Sequence, residues 1–576
     1  MKHRGTSLID LLISMAIVAV LFGGIYLVYF SLVTAITNIG VRTAAASAVQ
    51  AEIETIRNLP YASVGTVNGI PPGIIPQSQT VSEGSYSFTL TTTMRNIDDP
   101  FDGSVTGTVP VDTAPADYKL VEIEATCPLC NNFTSVSVTT TVAPKNLESA
   151  TQNGSLFVYA LDANGNPVAD ATVQVTNTLV APSINLIDTT NASGVLQLVG
   201  VPTSTQGYQI TVTKPGYSTD KTYPYGAPAN PNPVKPHATV AAQTVTAITF
   251  SIDALSSFTV SASNNRCVPI GGESFSVQGT KLVGTNPDVL KFSTTSFTSA
   301  TGSFAFPAIE WGTYALLPND VARDIVGTIP LGPFIIDPSS TAGFRFVMQL
   351  AADPSLLVTA VNNASITLTK TGFSQTLTAG HAFVTQDDWS AGQYAAQSGG
   401  LNTGPPERIT LLVNASGTYN TGTNDWLISN TFDLGGSSST FYSVSWDPVS
   451  QPPGTTIGFQ IAANNDNATW NFIGPDGTSG TTFTSAPASL PASLAGNRYF
   501  RYKVFLNTAD ENVAPEINDV TVEFSANCVP PAQALFTNLP QGTYLVDATA
   551  ENYVEATTAV SVGPGAQAVQ IPLTHL

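Results

Sequence analysis

The feature that most restricts this chain is a long run without charge near its amino end. No Asp, Glu, Lys or Arg occurs between Asp10 and Arg42, so residues 11–41 form 31 uncharged positions, most of them apolar. About 20 apolar residues cross a bilayer as a helix, so this run is long enough to do so. Lys2 and Arg4 precede it, and the positive-inside rule holds that end in the cytoplasm with the bulk of the chain outside. The run is longer than a secretory signal core and passes into an amphipathic stretch, which argues against a removed signal. A plain signal anchor is the simplest alternative. Beyond Ile36 the helical pattern persists. Val41, Ala44, Ala45, Ala48, Val49, Ile53 and Ile56 recur every three or four residues, with Glu52, Glu54 and Arg57 between them. Pro60 stops the pattern. The spacing predicts one helix over 6–59, about 80 Å long, with Gly23-Gly24 as a place for it to bend.

One charge, Asp10, stands at the entrance of the apolar run, and a carboxylate near a membrane is costly without a partner. The leader Met1-Lys2-His3-Arg4-Gly5, then Thr6, then Asp10 and the apolar helix, resembles the type IV prepilin family. The resemblance covers roughly the first 60 residues. It implies cleavage by a prepilin peptidase between Gly5 and Thr6, and methylation of the new amino terminus. It also implies assembly with other pilin subunits through the helix. Thr6 replaces the usual Phe and Asp10 the usual Glu, which puts methylation and filament assembly in question. In that scheme Asp10 neutralises the α-amino charge of a neighbouring subunit, because an unpaired buried charge is expensive.

The rest reads as β-structure. Charged residues make up only 10% of the chain, hydrophobic residues 43%, and there are 45 Gly and 40 Pro. That composition fits extracellular β-domains joined by many turns. With 20 basic against 40 acidic residues the net charge is −20, so nucleic acid is not an expected partner. The expected fold class is mostly β: a long transmembrane helix with a pilin-like head, then antiparallel sandwiches in series, one of them inserted and jelly-roll-like.

Residues 60–145 alternate apolar and polar and form the expected head. Within it Asp98, Asp99 and Asp102 surround Pro100, a candidate Ca²⁺ loop because hard cations take several oxygens from one loop; an acidic turn is the plainer reading. Cys127 and Cys130 lack a second half for zinc and a βαβ context for redox work, so a small disulfide is the expectation. Cys267 and Cys528 are isolated, and a bond between them is open.

An approximate repeat follows. One copy carries Asp162-Ala163-Asn164-Gly165-Asn166-Pro167 and Gly207-Tyr208. A second carries Thr301-Gly302-Ser303 and Gly312-Thr313-Tyr314, and a third Asn538-Leu539-Pro540 and Gly542-Thr543-Tyr544. These motifs resemble the carboxypeptidase regulatory-like module, a seven-stranded transthyretin-like sandwich. Its name implies no peptidase activity here, because the enzymes' zinc-binding histidine motif is absent. The expected modules are 150–250, 255–352, and a third split into 353–380 and 525–576. The segment 381–524 alternates throughout and is similar to galactose-binding-like jelly rolls.

That insert holds the candidate ligand residues. Trp446 lies in an alternating strand, which points it to the core. Trp470, after Asn464-Asn465-Asp466-Asn467, and Trp426 are candidates to stack on a surface glycan or another cell-surface ligand. Asn464–Asn467 and Asp476 are weaker Ca²⁺ candidates than turn residues. No Gly-x-Ser-x-Gly, HExxH or phosphate loop occurs, so no enzyme is expected and no cofactor beyond the possible Ca²⁺. The reading is a large minor pilin or pseudopilin displaying adhesive β-domains, a single-pass precursor of the inner membrane that reaches the cell surface on assembly. The alternative is a static membrane-anchored adhesin or polysaccharide-binding protein.

Overall fold

The structure, a computed structural model, describes residues 8–576 apart from 102, 106, 108–111, 113, 131–132, 145–151 and 405–407, with side chains from Leu12 onward. The chain is mostly β with one long amino-terminal helix. It divides into two compact units: 1–255 with 282–289, and 256–281 with 290–576.

In the first unit, helix α1 spans Leu8–Arg57 and runs through Gly23-Gly24 without interruption. Its two halves have different surroundings. The large apolar side chains from Leu12 to Ile39 are all exposed, and this stretch is long and apolar enough to cross a membrane. Val41, Ala45, Ala48, Val49, Ile53 and Ile56 are buried against Phe88, Leu90, Met94, Val121 and Ile123. Those partners come from a four-stranded antiparallel sheet, Ser78–Glu83, Tyr86–Ile97, Tyr118–Thr126 and Val136–Val142, ordered as in the sequence. Burying the Val, Ile, Leu, Phe and Met side chains among them contributes about 1.5–3 kcal/mol each. Arg95 on this sheet pairs with the buried carboxylate of Asp188 on the next domain.

That next domain is a two-sheet sandwich. Gly154–Leu161 lies between Val195–Val201, antiparallel, and Val245–Ser251, parallel. In the facing sheet Thr172–Asn177 lies between Ile184–Thr189 and Ser204–Thr213.

The second unit repeats this pairing twice. Ser256–Ser263 lies between Ser303–Ile309, antiparallel, and Thr341–Leu350, parallel. Ser355–Thr359 likewise lies between Gln533–Phe536 and Ala566–Gln570. The last sandwich therefore joins strands from both sides of residues 381–524. Those residues fold around their own core, which includes Trp389, Trp446, Phe459, Phe500, Tyr502 and Phe524. Cys267 and Cys528 are bonded, 261 residues apart in sequence.

In all three sandwiches one Tyr is buried with its hydroxyl donating to a backbone carbonyl a few residues upstream. Tyr208 donates to Pro202 at 2.5 Å, Tyr314 to Glu310 at 2.6 Å, and Tyr544 to Pro540. The ring fills the core while the hydroxyl keeps a partner, as a buried polar group requires.

Candidate functional site

Trp426 and Trp470 each lie against a cation on the outer face of one sheet of the insert, Trp426 beside Lys503 and Trp470 beside Arg501. The strand Tyr499–Thr508 alternates strictly, with Phe500, Tyr502, Val504 and Leu506 buried and Tyr499, Arg501, Lys503 and Phe505 turned outward. Period-two alternation makes this a two-faced strand. Asp425–Ser429 flanks it, with Trp426 opposite Phe505. Thr455–Asn464 lies on the other side, with Gly458, Gln460 and Ala462 opposite Phe505, Lys503 and Arg501. A loop beginning at Trp470 pairs with that flanking strand through Ile473 and Phe483. It approaches so closely that a Cβ on Gly458 would lie 2.7 Å from the Thr482 hydroxyl.

The result is a cleft of about 510 Å³ whose lining includes Trp470, Phe505, Lys503, Asn471 and Thr478, within the size range of small-ligand sites. Lys503 Nζ stands 4.5 Å from the Trp426 ring centre and 4.9 Å from that of Phe505. The Arg501 guanidinium lies 4.4 Å from the Trp470 ring and donates through Nε to Thr431 at 2.8 Å. Partial burial pushes both cations below their ordinary pKa values. The Gln460 amide donates to the carbonyls of Ser479 and Thr481 and fixes the loop.

The other candidates have different positions. Trp446 is buried, stacking on Phe459, and Trp389 is buried with its indole donating to the Tyr502 hydroxyl at 2.9 Å. Asp466 accepts from Ala468 and Thr469, and Asp476 from Thr478 and Thr481. These turn bonds hold both carboxyls below the usual range, Asp466 to about 2. In the head, Asp98 accepts from Val105 N–H at 2.9 Å and Asp99 from Phe101 N–H at 3.2 Å, while Asp102 lies outside the described residues. Among the described residues no group of three His, Cys, Asp or Glu side chains is placed to hold a metal ion. Cys127 and Cys130 are bonded to each other. Gly5 and Thr6 lie outside the described residues, and Asp10 is described only as a position in α1.

Sequence reasoning selected the two tryptophans but not Lys503, Arg501 or Phe505. The signal was present: two basic residues two apart, alternating with apolar ones, in a chain poor in basic residues.

No protein-family model matches the chain, and no curated protein matches it in sequence. Among solved structures it is similar to the Bacillus anthracis TIE protein, at 10% identity and a TM-score of 0.15, over 87% of this chain and 73% of that one. It is similar to a streptococcal ancillary pilin at 11% identity and a TM-score of 0.18, over 39% and 75%. It is also similar to the CBM32 of AlyQ, solved in complex with 4,5-unsaturated mannuronic acid, at 18% identity and a TM-score of 0.14, over 24% and 92%. Pilins and a carbohydrate-binding module thus stand among its structural neighbours, but superpositions this loose carry no argument about its site or partners.

Proposed function

We propose that this protein is a large minor pilin or pseudopilin that enters or caps a type IV pilus-like filament and displays adhesive β-domains. The observation that carries this reading is the division of α1. Its first half is apolar and uncovered, as a segment destined for a bilayer or a bundle of like helices must be, since exposed apolar area of this extent is not stable in water. Its second half is the spine of a β-head. The prepilin-like leader adds cleavage after Gly5 by a prepilin peptidase, with Asp10 as partner of a neighbouring subunit's α-amino group. The role is binding and display: among the described residues, the Asp466 and Asp476 carboxyls serve turns, and the His381–Glu523 pair stacks on Tyr442 with the Ser443 hydroxyl donating to the carboxylate, not to the imidazole. A static surface adhesin held by the same helix is the second reading, favoured by Thr6 and Asp10 where prepilins carry Phe and Glu.

The test is the mature amino terminus, read by mass spectrometry on protein from the native envelope. A start at Thr6 is expected. Retention of Met1–Gly5 would move the protein to the static-anchor reading, and a start beyond Ile36 would overturn both.

A further inference from the structure

We propose that the cleft beside Trp470 takes a carboxylated glycan, with a sugar ring against Trp470 and Phe505 and its carboxylate on Lys503. This rests on the reading of the insert as an adhesive domain and names the ligand class of that domain.

The argument begins from charge. The chain has twice as many acidic as basic residues, so a cation ordinarily has carboxylates to choose from. Five of the second unit's ten cations do pair: Lys281 and Lys291 with Glu310, Arg323 with Glu273, Arg408 with Glu516, Arg498 with Asp433. Among the described residues, Lys503 and Arg501 form no ion pair; they stand instead over aromatic rings. Partial burial makes an uncompensated charge costly, and an incoming carboxylate would offset that cost with a charge-assisted hydrogen bond. The cation is also held in place: Lys503 sits between Trp426 and Phe505, so little side-chain freedom is lost when an anion arrives.

The second part is shape. The cleft combines an aromatic wall with polar groups of Asn471, Thr478 and Ser479 along the loop. A pyranose needs this combination: an apolar C–H face for the ring, and hydroxyls that seek hydrogen bonds. Two unpaired cations on one strand do not suit a polyphosphate chain, whose affinity grows with the number of phosphates neutralised. They suit one or two carboxylates per site.

The test uses the full chain in detergent and two probes that differ in charge and by one methyl group per sugar: oligogalacturonate and the same oligosaccharide fully methyl-esterified. Binding is read by calorimetry. The expected result is binding of the acid form, about tenfold or more weaker binding of the ester, and weakening with salt. Lys503→Gln should lower affinity for the acid form by about tenfold, and Lys503→Arg should restore most of it. Trp470→Ala should abolish binding of both forms. Both side chains line the outer cleft, so far-ultraviolet circular dichroism should be unchanged. Equal binding of acid and ester, lost in Trp470→Ala but not in Lys503→Gln, would overturn the acidic-sugar inference and leave glycan adhesion standing. Binding of neither probe, or binding indifferent to Lys503→Gln and Trp470→Ala, would overturn the site itself.

Discussion

The first and third sandwiches share one strand pairing, yet the first is continuous and the third is interrupted by a whole domain. The difference sits in a single connection. In the first sandwich the strands Ile184–Thr189 and Val195–Val201 are joined by five residues, closed by Gly194 at φ +69°, where a Cβ would come 2.7 Å from the Ala160 carbonyl. In the third, the chain leaves the equivalent strand Phe373–Thr378, passes Gly380 at φ +85°, and returns only at Gln533–Phe536. The insert's first and last strands, Ala382–Gln386 and Asp519–Ser525, are hydrogen-bonded neighbours. Its two ends therefore sit side by side, as a turn's would. A folded insert with adjacent ends adds little loop-closure entropy, and a sandwich can take one wherever it already makes a tight turn.

The comparison can be broken most strongly at the shared tyrosine. Tyr208→Ala and Tyr544→Ala each remove a fully buried ring and should each cost about 3–5 kcal/mol, read by denaturant unfolding with hydrogen exchange resolved by domain. Equal losses would mean that the interrupted sandwich is as cooperative as the continuous one. A clearly smaller loss at Tyr544 would mean that the interruption had already loosened its core.

The next test concerns the device only the interrupted region has. Cys267 sits in the turn between the first two strands of the second sandwich, and Cys528 lies just past the insert's last strand. The bond gives the chain a covalent route to the insert that bypasses residues 268–380. Replacing both cysteines by Ser should cost about 2–5 kcal/mol, measured by calorimetry. The loss should be confined to the second unit, because the first sandwich contains no cysteine. An equal shift in the first unit would break the assignment.

The smallest effect is expected at the junction of insert and host. His381 Nδ1 donates to Glu523 at 2.8 Å, and its Nε2 approaches Asn363 of the host at 3.3 Å. The hydrogen bond from His381, then that from Ser443, holds Glu523 below the ordinary carboxylate range. A carboxylate depressed in the folded state stabilises above its unfolded pKa and loses that contribution as pH falls through the folded value. Unfolding of the insert should therefore become easier in that acid window, and Glu523→Gln should reduce the dependence by the share of this one carboxylate, leaving that of Asp433, Asp466 and Asp476. In the continuous sandwich the depressed carboxylate is Asp162, held by the Asn166 side chain, so its acid dependence should be unchanged by Glu523→Gln.

Much of the local structure was legible in the residues. The buried face of α1 could be read because helical spacing put Val41, Ala45, Ala48, Val49, Ile53 and Ile56 on one side. The strand Tyr499–Thr508 could be read because its alternation was unbroken, and the inward Tyr314 and Tyr544 because Gly312 and Gly542 start their strands. Trp446 and Trp470 were sorted correctly into core and surface, since one lies in an alternating strand and the other follows a polar turn. The company Trp470 keeps was not legible. Lys503 and Arg501 are 33 and 31 positions away from it in sequence, and which strand meets which loop depends on sheet pairing.

The sequence by itself determined the long apolar helix, the β character of the rest and the places where strands and turns fall. These depend on residues close together along the chain, where charge, spacing and backbone preference act directly. Only the tertiary structure decided that Cys267 meets Cys528 and that Trp470, Lys503 and Phe505 face one cleft. Those outcomes depend on contacts between distant segments, which are chosen by the packing of whole sheets and not by any one stretch of chain.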